Sequence, residues 1–228
     1  MSCPGGDHRH SGAMEDTTIK PLPFAFDEAK LVAPVPISLV GLHDTDRDLA
    51  ERIDGLVCDL KLQEFLKACS SLSPYLANLI ERYPDIVVAC EQGVASALDT
   101  ILQQLADHPF DQPSHVASAL RTAKKQGALL IAIADLGGWW SALQVGEAMT
   151  RLADACVVLA VRACLFQAHL SSRLVLADPA NPEQGCGLTI VAMGKHGARE
   201  LNYSSDIDLI AFIAPDAAAV PDADEAVA

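Results

Sequence analysis

Asp206 and Asp208 are the residues of this sequence whose type and spacing most directly suggest chemistry. They lead into Leu209-Ile210-Ala211-Phe212-Ile213, a run with the composition of a β-strand. In an extended chain alternate residues face the same way, so both carboxylates project together, with Cα atoms about 7 Å apart. Two such carboxylates can hold Mg²⁺. In two-metal sites the ions lie about 3.5–4 Å apart and clamp attacking and leaving oxygens. Asp-x-Asp alone is a weak signal, because Asp44/Asp46, Asp46/Asp48 and Asp222/Asp224 share the spacing. Those pairs lie in polar or Ala-rich surroundings and read as solvated loop charges. Asp206/Asp208 alone opens a buried-type strand, where unpaired carboxylates are costly and a cation would offset them.

The residues just upstream extend this reading. Leu188-Thr189-Ile190-Val191-Ala192-Met193 is a second β-rich run, and Gly194 begins a tight turn into one or two turns of helix. Gly194 and Gly197 carry no side chain, so backbone N–H groups there can approach a phosphate closely. Lys195 and Arg199 add positive charge, and Ser204 and Ser205 offer hydroxyls next to the carboxylates. The spacing excludes a P-loop, since no Gly-Lys-Ser/Thr follows four spacer residues. It leaves open an ordinary strand–helix–strand turn with capping residues and a surface lysine.

The elements that must position this segment are helical. Of 228 residues half are apolar, and aromatic content is only 5%, which favours Ala/Leu helices packed on one another. The first 50 residues, with Gly5, Gly6, Gly12, Pro21, Pro23, Pro34 and Pro36, read as a flexible extension. His8 and His10 there read as part of a solvated tail. Helical patterning starts near Asp48, with Leu56, Leu60, Phe65 and Leu66 on one stripe. Ser73-Pro74 opens a helix that Tyr83-Pro84 ends. Further helices are predicted from Val94 to Leu105 and from Pro113 to Gly137-Gly138. The strongest pattern begins at Ser141, where Gln144 completes a capping box. Val145, Met149, Leu152, Cys156, Leu159, Ala163, Phe166 and Leu170 then recur at helical spacing. Trp139-Trp140 fits a helix junction better than a base-stacking platform.

Composition removes several functions. A formal net charge of −14, from 30 acidic and 16 basic residues, repels phosphate backbones and argues against sequence-independent nucleic-acid binding. Seven cysteines without a CxxC read as reduced, mostly buried thiols rather than zinc ligands. The N-terminus lacks an apolar signal-peptide core, and the longest apolar run, Ala128–Ala134, is too short to span a bilayer. The predicted setting is cytoplasmic, with no membrane partner.

The string from Gly194 to Ile210, GKHGARELNYSSDIDLI, closely resembles the signature of glutamine synthetase adenylyltransferases. These belong to the polymerase β-like nucleotidyltransferase superfamily. Weaker similarity covers most of residues 50–214: Ser73-Pro74-Tyr75-Leu76, Arg82-Tyr83-Pro84-Asp85, the Ala128–Gly138 segment and Leu152-Ala153-Asp154-Ala155. His196 departs from the Leu or Met of many members and reads as a packing variation. The resemblance implies an α+β chain: a mainly helical N-terminal region followed by a truncated polymerase β-like nucleotidyltransferase sheet. It implies Asp206 and Asp208 as catalytic metal ligands for Mg²⁺, and Gly194, Lys195, Ser204 and Ser205 as nucleotide-binding residues. It also implies ATP or ADP and phosphate as small-molecule partners, with glutamine synthetase and a PII-type signal protein as protein partners.

Members of that family carry two similar halves. The resemblance implies that one removes AMP from a glutamine synthetase tyrosine by phosphorolysis and the other attaches it from ATP. A motif starting about 190 residues after Met1 is expected in the N-terminal, deadenylylating half. The expected organisation is a flexible extension over 1–50, a helical domain over 51–185, and an incomplete nucleotidyltransferase domain over 186–228. A third acidic residue belongs on a later strand, and Asp216, Asp222, Asp224 and Glu225 are too close and loop-like to supply it. Two strands leave an open edge and an uncovered face, so the fragment is expected to be inactive alone. The alternative reading is a non-catalytic helical interaction module with a vestigial motif.

Overall fold

The computed structural model describes residues 46–57, 60–90 and 93–214. Residues 1–45 of the expected flexible extension, Cys3, Cys58 and the acidic residues after Pro215 therefore lie outside the described residues, and the last residues assigned to that extension, from Arg47, are helical instead. Asp46 caps the first helix, its carboxylate accepting the Leu49 N–H at 3.0 Å. The helices are α1 (Arg47–Val57), α2 (Leu60–Leu72), α3 (Pro74–Arg82), α4 (Pro84–Ala89), α5 (Val94–Ala106), α6 (Pro113–Leu136) and α7 (Ala142–Leu170). After them come β1 (Leu188–Ala192), the single turn α8 (Gly194–Gly197) and β2 (Leu209–Ile213). The chain is α+β and mostly helical, and the two strands among the described residues form one small antiparallel sheet.

Local signals place the helix ends. Ser73 accepts the Leu76 N–H at 3.3 Å and Pro74 occupies the first turn of α3. Tyr83-Pro84 ends α3 as expected, but Pro84 also starts α4. A proline lacks only an N–H that the first turn leaves unpaired anyway, so it begins one helix as readily as it stops another. Ser141 and Gln144 form the reciprocal capping box of α7.

One apolar core joins α2 to α7. The longest helices, α6 and α7, make the most extensive helix–helix contact. Gly127 lies in that contact, and a Cβ there would lie 2.4 Å from a methyl carbon of Leu152. Of the stripe read along α7, Val145, Leu152, Leu159 and Ala163 are buried, and Met149 and Cys156 pack against the core. Phe166 meets Phe110 edge to face at 5.5 Å. The stripe stops before Leu170, which is exposed, as is Leu60 at the start of α2. Trp140 is buried in the core and Trp139 packs against it, as the junction reading required. Cys69 and Cys90 are buried free thiols, and desolvation pushes each up to about 12, so both stay protonated and inert near neutrality.

Among the described residues no helix is long and apolar enough to cross a membrane. Truncating Leu130, fully buried, to Ala should destabilise the chain by about 2–5 kcal/mol. Leu143→Ala, at a site 79% exposed, should stay within about 0.5 kcal/mol of the parent. Denaturant unfolding followed by circular dichroism measures both, and equal losses would contradict the packing described.

Candidate active site

β1 and β2 run antiparallel with Leu188 opposite Ile213 and Ala192 opposite Leu209. Just past the ladder, the Met193 N–H donates to the Asp208 carbonyl at 2.8 Å. The residues of interest occupy the connection between the strands, residues 193–208. Asp206 and Asp208 lie in the segment before β2, and both are exposed. This corrects the expectation that they open a buried-type strand: β2 is exposed along its whole length. A two-stranded sheet offers β2 no covering layer among the described residues, so its apolar composition does not bury it.

The connection is folded by its own backbone. Gly194 adopts φ +54°, a left-handed conformation that suits glycine. A Cβ built on Gly194 would be 3.9 Å from an Asp208 carboxylate oxygen, so the turn brings Gly194 and Asp208 together. Gly197 answers to crowding: its Cβ would lie 2.4 Å from the Ala192 carbonyl oxygen. The turn α8 closes with two hydrogen bonds, Glu200 N–H to the Lys195 carbonyl at 2.8 Å and Arg199 N–H to the His196 carbonyl at 3.1 Å. That is a Schellman closure, whose left-handed position is most often glycine. Here it is Arg199, at φ 60°, a conformation costing a side-chain-bearing residue about 1–2 kcal/mol.

Arg199 is not free for a phosphate. Its guanidinium bridges both carboxylate oxygens of Glu147 and approaches Asp154 at 3.8 Å, both on α7. Lys195 is exposed, so the two cations that looked alike in the sequence have different surroundings. The Arg199 hydrogen bond holds the Glu147 carboxyl below the usual glutamate range. His196 is buried, with Nε2 2.8 Å from an Asp154 oxygen and Nδ1 without a partner. Leaving Nδ1 as a bare lone pair costs less than burying an unpaired N–H, which favours the Nε2–H tautomer donating to Asp154.

Ser204 and Ser205 are organised by Asn202. Both hydroxyls donate to its side-chain oxygen, at 3.1 and 2.9 Å, and Ser205 accepts the Asn202 N–H at 3.1 Å. In this arrangement their hydroxyls hold the loop together. Tyr203 donates to Asp135 at the end of α6 at 3.1 Å. Burial first, then the Asp135 charge, raises the Tyr203 phenol well above its usual value. The sequence motifs assign no role to Glu147, Asp154, Asp135 or Asn202. Glu147 and Asp154 stand seven positions apart on α7, two turns along one face, which is the only local hint of a shared role.

The sequence model for glutamate-ammonia ligase adenylyltransferase matches residues 62–228. The chain belongs to that family. A bifunctional glutamine synthetase adenylyltransferase/adenylyl-removing enzyme of Bradyrhizobium sp. (strain ORS 278) is 54% identical over 177 residues, covering 77% of this chain and 15% of the relative. The protein of the same name from Rhodopseudomonas palustris (strain ATCC BAA-98 / CGA009) is 44% identical, covering 68% and 16%. That from Brucella suis biovar 1 is 38% identical, covering 72% and 17%. The chain thus spans about a sixth of the length of these curated relatives. No solved structure matches.

Two measurements check this geometry. Gly197→Ala must push the turn off the β1 carbonyl, and should lower the melting temperature with the helical signal retained. Glu147, lowered by Arg199, contributes stability that is complete above the ordinary glutamate value of about 4.3 and is lost as pH falls through its lower folded value. Arg199 keeps its charge throughout, so Glu147→Gln should flatten the acid side of the stability profile below about pH 4.3. An unchanged acid limb would show the pair to be energetically silent.

Proposed function

We propose that this chain supplies the helical region, 51–185, and the leading part of a nucleotidyltransferase domain, 186–228, of a bifunctional glutamine synthetase adenylyltransferase/adenylyl-removing enzyme. The reading further assigns it to the half that removes AMP from a glutamine synthetase tyrosine by phosphorolysis. The observation that carries it is the Gly194–Ile210 segment in a chain of this family. Its backbone turn sets Gly194 beside the Asp208 carboxylate.

Asp206 and Asp208 are the proposed catalytic metal ligands. Exposed carboxylate oxygens are hard donors of the kind Mg²⁺ takes, so the donor type fits. Among the described residues no group of three or more His, Cys, Asp or Glu gathers as a metal site, so the donor number is incomplete. When bound, Mg²⁺ would supply neutralisation of phosphate charge. The chain's own part is to hold the phosphates of ATP or ADP. Gly194 offers close backbone approach, Lys195 offers charge, and Ser204 and Ser205 shape the loop and would bind a phosphate by turning their hydroxyls to it from the Asn202 oxygen. The setting is cytoplasmic, with glutamine synthetase as the modified protein and a PII-type protein as the signal.

In the full-length enzyme, Asp206→Asn or Asp208→Asn should lower phosphate-dependent AMP release from adenylylated glutamine synthetase by at least about 10²-fold, the scale of losing one group that stabilises transition-state charge. Adenylylation should survive. Loss of adenylylation with AMP release intact would exchange the halves, and no effect on either reaction would favour the interaction module. Residues 1–228 alone, given Mg²⁺, phosphate and adenylylated glutamine synthetase, should release no ADP.

A further inference from the structure

The sheet and the helical core share little apolar contact. The core cluster that joins α2 to α7 contains no sheet residue, and the smaller cluster of Leu165, Leu176 and Cys186 reaches only Leu188 of β1. Beside the buried Leu201, what ties the 193–208 connection to the helices is polar and close-set. Arg199 grips Glu147 and nears Asp154, and His196 bonds Asp154. Gly146 admits the 199–200 backbone, since a Cβ there would be 3.1 Å from the Arg199 carbonyl oxygen.

The choice of residue at position 199 is the informative point. The Schellman closure puts it at φ 60°, where glycine would sit without strain. An arginine persists there only if its surroundings hold it, and strain of this kind gathers at functional sites. Here the strained residue is the one whose guanidinium takes a carboxylate in two-point fashion, a pairing that fixes direction more narrowly than a single contact. The consequence runs along the turn. Arg199 fixes α8, the α8 backbone fixes Gly194, and Gly194 abuts Asp208.

We propose that Arg199, with Glu147 and Asp154 of α7 and with His196, is a positioning device that sets the orientation of the Gly194 turn and of Asp208 relative to the helical core. The inference rests on the catalytic reading of Asp206 and Asp208. Arg199 touches neither phosphate nor metal in this role; it acts through the turn.

The test uses the full-length enzyme and follows whichever nucleotidyl reaction Asp206→Asn abolishes. Arg199→Gly relieves the backbone strain while removing the grip. Its melting temperature should match or exceed that of the parent, its KM for glutamine synthetase should hold, and its kcat should fall about 10–100-fold, the loss typical of removing an outer-shell partner. Glu147→Arg should give a similar fall. The exchanged pair Arg199→Glu with Glu147→Arg should recover part of kcat relative to either single variant, an outcome a purely structural role would not give at unchanged melting temperature. Unchanged kcat in Arg199→Gly while Asp206→Asn is inactive would overturn the positioning role and leave the site reading intact. Activity retained in Asp206→Asn as well would overturn both.

Discussion

The close approach of α6 and α7 is the constraint on which the rest of the molecule depends. Gly127 brings the two helices near enough for Leu152 to fill the space where a side chain would be, and Leu129, Leu130 and Ile131 of α6 are shut off from solvent. Burying such side chains is worth about 1.5–3 kcal/mol each. This contact fixes α7 along the length that carries Gly146, Glu147 and Asp154. The site segment has less apolar anchorage, with Leu201 buried, and takes its position from polar contacts to α7 and from Tyr203 on Asp135 of α6.

That dependence explains the division between an apolar core and a polar attachment. β2 keeps Leu209, Ile210, Phe212 and Ile213 exposed, and an apolar strand in water gains nothing from burial. The turn is held instead by directional groups: a two-point arginine–carboxylate pair, a buried imidazole on a carboxylate and a tyrosine hydroxyl on Asp135. Such bonds are individually modest where exposed, but they specify an orientation, which apolar contact does poorly. A phosphate site needs orientation more than it needs bulk stability.

The parts legible in the sequence are those whose cause lies within a few residues. Ser141 with Gln144, Ser73 with Pro74, and the α7 stripe through Ala163 all formed as their spacing required. Strand composition located β1 and β2. Composition could not tell that β2 lies open, because burial depends on a covering layer and not on the strand itself. It also could not tell Lys195 from Arg199. The difference arises from Glu147, 52 positions away from Arg199, and a pairing at that separation leaves no periodic trace. His196 looked like a packing variation; it does pack, but as a polar anchor on Asp154, 42 positions earlier.

Electrostatics links the anchorage to the proposed chemistry. Between Gly194 and Ile210 the lysine and arginine side chains are Lys195 and Arg199, and the carboxylates are Glu200, Asp206 and Asp208. Arg199 faces Glu147 and Asp154, so its charge is already matched by the helix that holds it. A phosphate approaching this turn meets Lys195 against three carboxylates, in a chain whose formal net charge is −14. Coulomb repulsion at such range is only partly screened at physiological ionic strength, where the Debye length is about 8 Å. Under the catalytic reading Asp206 and Asp208 would hold a divalent cation that offsets this repulsion, and an arginine already paired on α7 orients Asp208 without adding a competing free charge.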